Sequence, residues 1–325
     1  MLRTSVRPPF RDASAPPTPE GTVEKRAPLL ENPRAVGVAC AVAATCLGLA
    51  YLAAAGAPAL FLAVNALALL MGLAFLAIPR PGAGIPGVVT LALGGVLLAT
   101  ALFGVTVEGA SRWIRVAGLA LQISLFIVPA MLVSFAVRRD FLSTLGMILA
   151  AVALALQPDR GMAGVLASGL AVLALRRRDP CVASALGTAV AAFAVTMLRP
   201  DTLPAAPYVD QVLFTAFGVH PLAGLAVVGG SLLLVVPALA GRKLDAGDRD
   251  ACAVFGAAWL AAVVAAALGN YPTPLVGYGG SAVLGYVLSL VFVPGAAHAS
   301  TVAETAKGRR ESSPPSPLGY LGASG

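Results

Sequence analysis

Charged residues and histidine are scarce in this sequence. Of 325 residues, 11% are charged, 15 are acidic and two are histidine, whereas about a quarter of the residues in a soluble domain are charged. The sequence contains no Walker-type phosphate loop, no His/Cys cluster with metal-ligand spacing and no Ser/His/Asp arrangement that two histidines could support. These absences argue against nucleotide-hydrolysing, zinc-dependent and serine-hydrolase functions.

Cysteine is also rare, and its positions carry no recognisable chemistry. The four cysteines lie in or at the ends of apolar runs, without metal-like spacing: Cys40, Cys46, Cys181 and Cys252. A free cysteine in such a setting behaves as a small apolar residue. We therefore interpret all four as packing residues.

Long apolar runs dominate the remaining sequence. Hydrophobic residues make up 58% of the chain, and the mean hydropathy is +0.87. Runs near the roughly 20 residues that cross a bilayer as a helix occur at 35–55, 58–79, 86–107, 119–137, 141–156, 161–175, 181–198, 211–240, 251–268 and 279–297. The sequence thus predicts an all-α, polytopic membrane protein with ten spans. We expect Pro221 to kink or split the long eighth span.

The distribution of Lys and Arg predicts the orientation. With both termini in the cytoplasm, only four of the 22 cations fall in outer segments: Arg112, Arg115, Arg160 and Arg199. This asymmetry follows the positive-inside rule, so the basic charge indicates a lipid bilayer as partner and not nucleic acid. Residues 35–298 form the predicted transmembrane domain, and the polar, Pro-rich segments 1–34 and 299–325 are predicted to be disordered cytoplasmic tails.

Four polar stretches on the predicted outer side are candidates for function. They read "GASRWIRVAGLALQIS", "LQPDRGMA", "LPAAPYVDQVLF" and "PLVGYGGSAVL". Simpler explanations exist for each: Arg112 and Arg115 could snorkel toward headgroups, Asp159 and Asp210 could cap helices, and Ser281 could cap the last helix after a tight turn.

Together these stretches resemble one family, the SEDS proteins FtsW, RodA and SpoVE, which polymerise lipid-linked peptidoglycan precursor. The first is similar to the family's Gly-Ala-Arg-Arg-Trp-Ile…Gln-Pro-Ser-Glu stretch, the second to Gln-Pro-Asp-Leu-Gly-Thr-Ala, and the last to Pro-Phe-Ile-Ser-Tyr-Gly-Gly-Ser-Ser-Leu. Asp210 occupies the place of the family's catalytic Asp at the start of the eighth span. The resemblance extends from about the third span to the tenth.

The resemblance implies a glycosyltransferase site. Asp210 would be the catalytic base, and the residues implied to bind substrate are Arg112, Arg115, Gln122, Ser124, Asp159, Tyr278, Gly279, Gly280 and Ser281. It further implies an undecaprenyl-linked precursor as substrate, a single-pass class B penicillin-binding protein as partner, and the cytoplasmic membrane of a bacterium as location. A divalent cation remains open as cofactor, and no protein metal site is predicted.

Departures from the family pattern leave a second hypothesis open. Leu125 and Val128 stand where the family has Glu and Lys, Ile123 replaces a Pro, Gly277 replaces a Ser, and the loop before Asp210 is much shorter than the family's. The chain could accordingly be a catalytically inactive scaffold that binds a transpeptidase. A lipid flippase or transporter is a third hypothesis, although no inverted repeat supports it.

Overall fold

The computed structural model describes residues 32–78, 84–107, 109–116, 118–199 and 203–295. Across these residues the chain forms twelve α-helices and three short strands. The helices are α1 (Pro33–Ala54), α2 (Ala59–Ala77), α3 (Gly87–Phe103), α4 (Ile123–Val137), α5 (Phe141–Leu156), α6 (Arg160–Arg176), α7 (Pro180–Met197), α8 (Val212–Val219), α9 (Pro221–Leu233), α10 (Val236–Ala240), α11 (Ala246–Leu268) and α12 (Gly280–Leu290). The predicted tails lie outside the described residues, except for the last three residues of the first tail: Asn32 caps α1, and Pro33 and Arg34 belong to it.

Several of the scarce acidic side chains begin helices. Asp140 accepts a hydrogen bond from the Ser143 backbone N–H at 2.8 Å at the start of α5, and Asp179 accepts one from Cys181 N at 2.8 Å at the start of α7. Each bond satisfies a backbone N–H that has no partner within the helix. Helix capping thus explains why Asp140 and Asp179 occur in a chain with so few acidic residues.

Small residues allow the helices to pack closely. A methyl group added at Gly94 of α3 would lie 2.6 Å from the carbonyl oxygen of Gly146 in α5. Close backbone approach of this kind is the usual way in which helices associate in lipid. The core between the helices contains large buried side chains such as Phe135, Trp259 and Tyr286, whereas Phe75, Leu175 and many other apolar side chains face outward.

A three-stranded antiparallel sheet connects α3 to α4. Its strands are β1 (Val105–Val107), β2 (Ala110–Val116) and β3 (Leu119–Gln122), in the order β1-β2-β3. The tight turns use Gly109 and Gly118, whose φ angles are +80° and +83°, a region that glycine adopts without steric cost. The third predicted span therefore ends before 107, and the fourth begins after 119.

The long eighth span is divided into three helices. α8 ends before His220, and α9 starts at Pro221, which has no N–H to continue the ladder. The expected interruption at Pro221 is confirmed. The imidazole Nδ1 of His220 accepts a hydrogen bond from Leu222 N at 3.1 Å, so this side chain caps α9.

The described helices confirm an all-α, polytopic membrane protein. Four of them are long and apolar enough to cross a bilayer, namely α1, α2, α7 and α11, and five more are apolar but shorter. At one end of the bundle Arg139 pairs with Asp179 at 3.2 Å, and Arg176 pairs with the buried Asp250 at 2.6 Å. The candidate residues lie at the opposite end. The count of ten spans and the orientation remain predictions.

Candidate active site at one end of the bundle

A cavity of about 390 Å³ opens at the end of the bundle that carries the sheet. Its walls come from the sheet, the loop before α8, the loop between α11 and α12, and the first residues of α12. Its volume falls within the ~300–1,000 Å³ range of small-molecule sites. The lining is mostly apolar with a few polar groups: Arg112, Arg115, Gln122, Asp210, Asn270, Tyr271, Tyr278 and Ser281.

Asp210 lies on the cavity wall immediately before α8. The cap position of α8 belongs to Gln211, with φ at +57° and no side-chain cap bond, so the explanation of Asp210 as a helix cap is wrong. Its Oδ2 instead accepts a hydrogen bond from Ala206 N at 2.8 Å within the loop. The Asp210 backbone forms an isolated antiparallel bridge with Pro272, and this pairing holds the carboxylate beside the α11–α12 loop.

The two arginines of β2 have different environments. Arg112 is 3% exposed, donates a hydrogen bond to the Pro158 carbonyl, and places its guanidinium carbon 5.8 Å from the centre of the Tyr271 ring. Arg115 is exposed at the same cavity. Arg112 therefore serves partly to join the sheet to the α5–α6 turn, whereas Arg115 presents its charge to solvent.

Asp159 is completely buried behind the cavity. Its Oδ1 accepts a hydrogen bond from Met162 N at 3.2 Å, so the capping role expected at the start of α6 is confirmed. Its Oδ2 accepts hydrogen bonds from Gln122 Nε2 at 3.0 Å and from Ser124 Oγ at 2.8 Å. A second cavity of about 20 Å³ touches Gln122 and Asp159, with room for about one water molecule.

The Tyr278–Ser281 segment closes the cavity on the side of α2 and α12. The Tyr278 ring stacks on Phe61 with a centroid distance of 3.8 Å. Gly279 occupies the cap position of α12, so the explanation of Ser281 as the cap is wrong. The Ser281 hydroxyl instead accepts a hydrogen bond from Gln122 N at 3.1 Å, which joins α12 to the end of β3.

The fold thus brings most of the predicted site residues to one cavity. Its lining includes Asp210, Arg112, Arg115, Gln122, Tyr278, Gly279, Gly280 and Ser281. Ser124 and Asp159 do not line it; they lie behind Gln122 and hold its side chain. These two residues support the wall of the cavity and do not form its surface.

Sequence reasoning missed two asparagines. Asn270 lines the cavity, accepts a hydrogen bond from Gln211 Nε2 at 2.7 Å and donates one to Leu203 O at 2.9 Å. Asn65 lies within α2 and bonds to the Gly277–Gly279 backbone. For Asn65 a signal was present, because it is the one polar side chain in the run "ALFLAVNALALLMGLAFLA".

The residues described offer little to a resident metal ion. Among them, no group of three or more His, Cys, Asp or Glu side chains is placed to hold a cation, and Asp210 is the one carboxylate in the described cavity lining. One carboxylate suits an ion such as Mg²⁺ only when substrate phosphates and water supply its other ligands.

In the part of the chain that the structure describes, the cavity lining brings one carboxylate, Asp210, and two arginines, Arg112 and Arg115, to one end of a bundle of apolar helices, as in a polytopic membrane protein. No protein-family model matches the chain, and no curated protein matches its sequence. Among solved structures, it is similar to the rod shape determining protein RodA of Thermus thermophilus, with 20% sequence identity, a TM-score of 0.53, and 79% of this chain and 94% of that chain covered.

A RodA mutant in which one Asp is replaced by Ala aligns equally well. The TM-score is 0.54 at 20% identity, with 79% of this chain and 95% of that chain covered. These likenesses show that the chain has a RodA-like fold. The alignment with RodA covers 79% of this chain.

Proposed function

We propose that this protein is a SEDS-type glycosyltransferase that polymerises a lipid-linked peptidoglycan precursor at the outer face of a bacterial cytoplasmic membrane, in cell division or cell-shape maintenance. One observation carries the proposal: Asp210, Arg112 and Arg115 line a single cavity at one end of an apolar bundle with a RodA-like fold. These are the residues that the sequence resemblance implies for the chemistry.

The proposed reaction needs one proton acceptor. A sugar hydroxyl attacks the anomeric carbon of a second, lipid-linked sugar, forms the new glycosidic bond and displaces the lipid diphosphate. The hydroxyl proton passes to the Asp210 carboxylate, which acts as general base. Asp210 Oδ2 accepts a hydrogen bond from Ala206 N, and Asp210 lines the same cavity as Arg112 and Arg115.

The leaving diphosphate needs positive charge. A guanidinium matches phosphate oxygens with paired N–H donors. Arg115 is exposed at the cavity, so it has the greater freedom to hold the diphosphate. Arg112 already donates a hydrogen bond to the Pro158 carbonyl. Its guanidinium can therefore bind phosphate only from the position in which this bond holds it.

A second candidate function is supported by the apolar side of the cavity. Leu125, which replaces a Glu in the family resemblance, lines the cavity, and Val128, which replaces a Lys, is fully buried. Neither position supplies a polar group to a sugar. On this hypothesis the chain is an inactive scaffold that binds a single-pass transpeptidase, a class B penicillin-binding protein, within the membrane.

The deciding experiment is polymerisation of lipid II by purified protein in detergent, with a candidate transpeptidase and Mg²⁺ supplied. Asp210→Asn removes the base while preserving shape, and loss of a general base costs about 10²–10⁴-fold. Asp245→Asn is a matched control, because Asp245 is exposed, makes no cap bond and lies at the far end of the bundle.

Glycan from the wild type and from Asp245→Asn, with a loss of at least about 100-fold in Asp210→Asn, would support catalysis by Asp210. Equal rates in all three proteins would reject Asp210 as the base. If the folded wild type makes no product but copurifies with the transpeptidase, the scaffold hypothesis replaces the transferase.

A further inference from the structure

Asn65 is the one polar side chain in the 19-residue helix α2, and it is fully buried. An amide in the middle of an apolar helix is costly unless both its oxygen and its nitrogen have partners. Polar residues within membrane helices are therefore expected to have a specific role. Neither the sequence motifs nor the chemistry proposed above accounts for Asn65.

Both ends of the Asn65 amide bond to the same turn. Nδ2 donates to the carbonyl oxygen of Gly277 at 2.8 Å, and Oδ1 accepts from the Gly279 N–H at 3.0 Å. The amide thus spans the two peptide groups on either side of Tyr278. A hydroxyl or an apolar side chain could not make both bonds in this geometry.

The face of α2 around Asn65 holds the same turn. Phe61, one helical turn earlier, stacks on the Tyr278 ring. A methyl group added at Gly280 would lie 3.2 Å from Val64 Cγ1 and 3.3 Å from Ala68 Cβ. Because residues three and four apart share a helix face, one surface of α2 supports the whole Gly277–Gly280 segment.

The α11–α12 loop that ends in this segment holds the backbone that precedes Asp210, and Gly277 N joins the segment to Thr273 O at 3.1 Å. Tyr278 N donates to Tyr208 O at 2.7 Å, and Thr273 N donates to Val209 O at 2.9 Å. Asp210 then bridges to Pro272. A side-chain bond inside the membrane is therefore connected, through two backbone contacts, to the candidate catalytic carboxylate.

The backbone around Asp210 needs such support. Tyr208 and Gln211 flank this position with φ angles of +65° and +57°, and neither is glycine. Residues with side chains adopt the left-handed region at a cost, and they remain there only when their surroundings enforce it. The hydrogen bonds from Thr273 and Tyr278 are part of that enforcement.

We propose that Asn65 is a positioning residue for Asp210: its amide fixes the Gly277–Gly279 turn, and the turn fixes the orientation of the carboxylate in the cavity. The catalytic consequence rests on the transferase proposed above. The structural consequence does not depend on that proposal, because the hydrogen bonds between the α11–α12 loop and the loop before Asp210 form without substrate.

The test compares Asn65→Leu, Asn65→Asp and Ser289→Ala. Leucine resembles asparagine in shape but makes neither bond. An aspartic acid at this position can donate to Gly277 O only when it is protonated, while its other oxygen can still accept from Gly279 N. Ser289→Ala is the matched control, because it also removes a buried side-chain bond, the 3.1 Å contact with Trp259 Nε1, but away from the cavity.

The first readout is hydrogen exchange in detergent, which needs no activity. We expect Asn65→Leu to accelerate exchange in the peptides covering 203–210 and 271–280, with α5, α6 and α7 unchanged. Ser289→Ala is expected to leave both loop peptides at wild-type rates. Unchanged loop exchange in Asn65→Leu overturns the proposal, and so does uniform acceleration over all peptides in both Asn65 variants, since that pattern means a general packing role.

The second readout is lipid II polymerisation. Asn65→Leu is expected to lower kcat about 100-fold, the effect of a displacement of about 1 Å at a reacting group, while KM changes less than about threefold. Asn65→Asp is expected to regain kcat as the pH falls, a limb absent from the wild type. Equal kcat in Asn65→Leu and wild type overturns the positioning role. An inactive wild type with accelerated loop exchange in Asn65→Leu rejects the transferase but keeps the structural link.

Discussion

Replacement of the buried Asp159 should destabilise the protein more than replacement of any exposed capping carboxylate. Asp159→Ala removes the acceptor for three donors: Gln122 Nε2, Ser124 Oγ and Met162 N. Each buried donor left without a partner costs about 1–3 kcal/mol. The adjacent cavity of about 20 Å³ has room for a water molecule that can satisfy one of them.

Two donors then remain without a partner, so the expected loss is about 2–6 kcal/mol, which corresponds to a fall of roughly 4–24 °C in the thermal midpoint at about 2–4 °C per kcal/mol. The assay is thermal unfolding in detergent at one scan rate, because unfolding of such a protein is governed partly by kinetics. Asp140→Ala is the reference: it removes a partly exposed cap, so about 1 kcal/mol is expected.

Asp159→Asn should recover at least half of this loss. Its oxygen can still accept from Met162 N, and reversal of the Gln122 amide presents an oxygen to the new N–H₂ group. The reasoning is refuted if Asp159→Ala lowers the midpoint no more than Asp140→Ala. It is also refuted if Asp159→Ala raises KM for substrate while the midpoint stays unchanged, because that result means a role in binding without a role in stability.

Two further predictions follow from the same geometry. Arg112→Gln should lower the thermal midpoint, since it removes the bond to the Pro158 carbonyl and the contact with Tyr271. Arg115→Gln should leave the midpoint within about 1 °C, as expected for an exposed site, and should weaken binding of a lipid diphosphate in a vesicle assay. Equal effects of both substitutions on the midpoint would contradict the different roles of the two arginines. Gly285→Ala should destabilise the bundle and shift Leu125 in the cavity wall, because a methyl group there collides with the Leu125 carbonyl. Gly95→Ala should be tolerated, because no neighbouring atom lies within 4 Å of the added methyl group. The measurement is the thermal midpoint of each variant, and a larger fall for Gly95→Ala would contradict the prediction.

Local patterns in the sequence predicted the helices better than their connections. The apolar runs, the capping of α6 by Asp159 and the break at Pro221 each depend on residues within a few positions of one another. The sheet was missed for two reasons: β1 and β3 lie at the ends of apolar runs, where a short run can extend a helix or form a strand with equal hydropathy, and β2 lies in the polar stretch between them. Only pairing, such as that of Trp113 with Gln122, distinguishes the two.

The site shows the same difference between what local sequence patterns predict and what only tertiary contacts reveal. Motif resemblance grouped Asp159 and Ser124 with Asp210 and the residues from Tyr278 to Ser281, and only the latter residues line the cavity. The structure places Asp159 and Ser124 behind the wall, where they hold Gln122. Burial and hydrogen-bond partners depend on which helices pack together, and no spacing within one segment reveals them.

The sequence by itself determined that this chain is a polytopic membrane protein, because hydropathy over about 20 residues decides whether a helix is more stable in lipid than in water. It also contained the side chains that cap five of the described helices, α1, α5, α6, α7 and α9, since a cap acts on the first turn alone. The tertiary structure decided the site. Asp210 meets Pro272, Arg112 meets Pro158, and Asn65 meets Gly277; these residues are far apart in the chain and come together only because the close packing of helices in the bundle leaves one arrangement for the loops at that end.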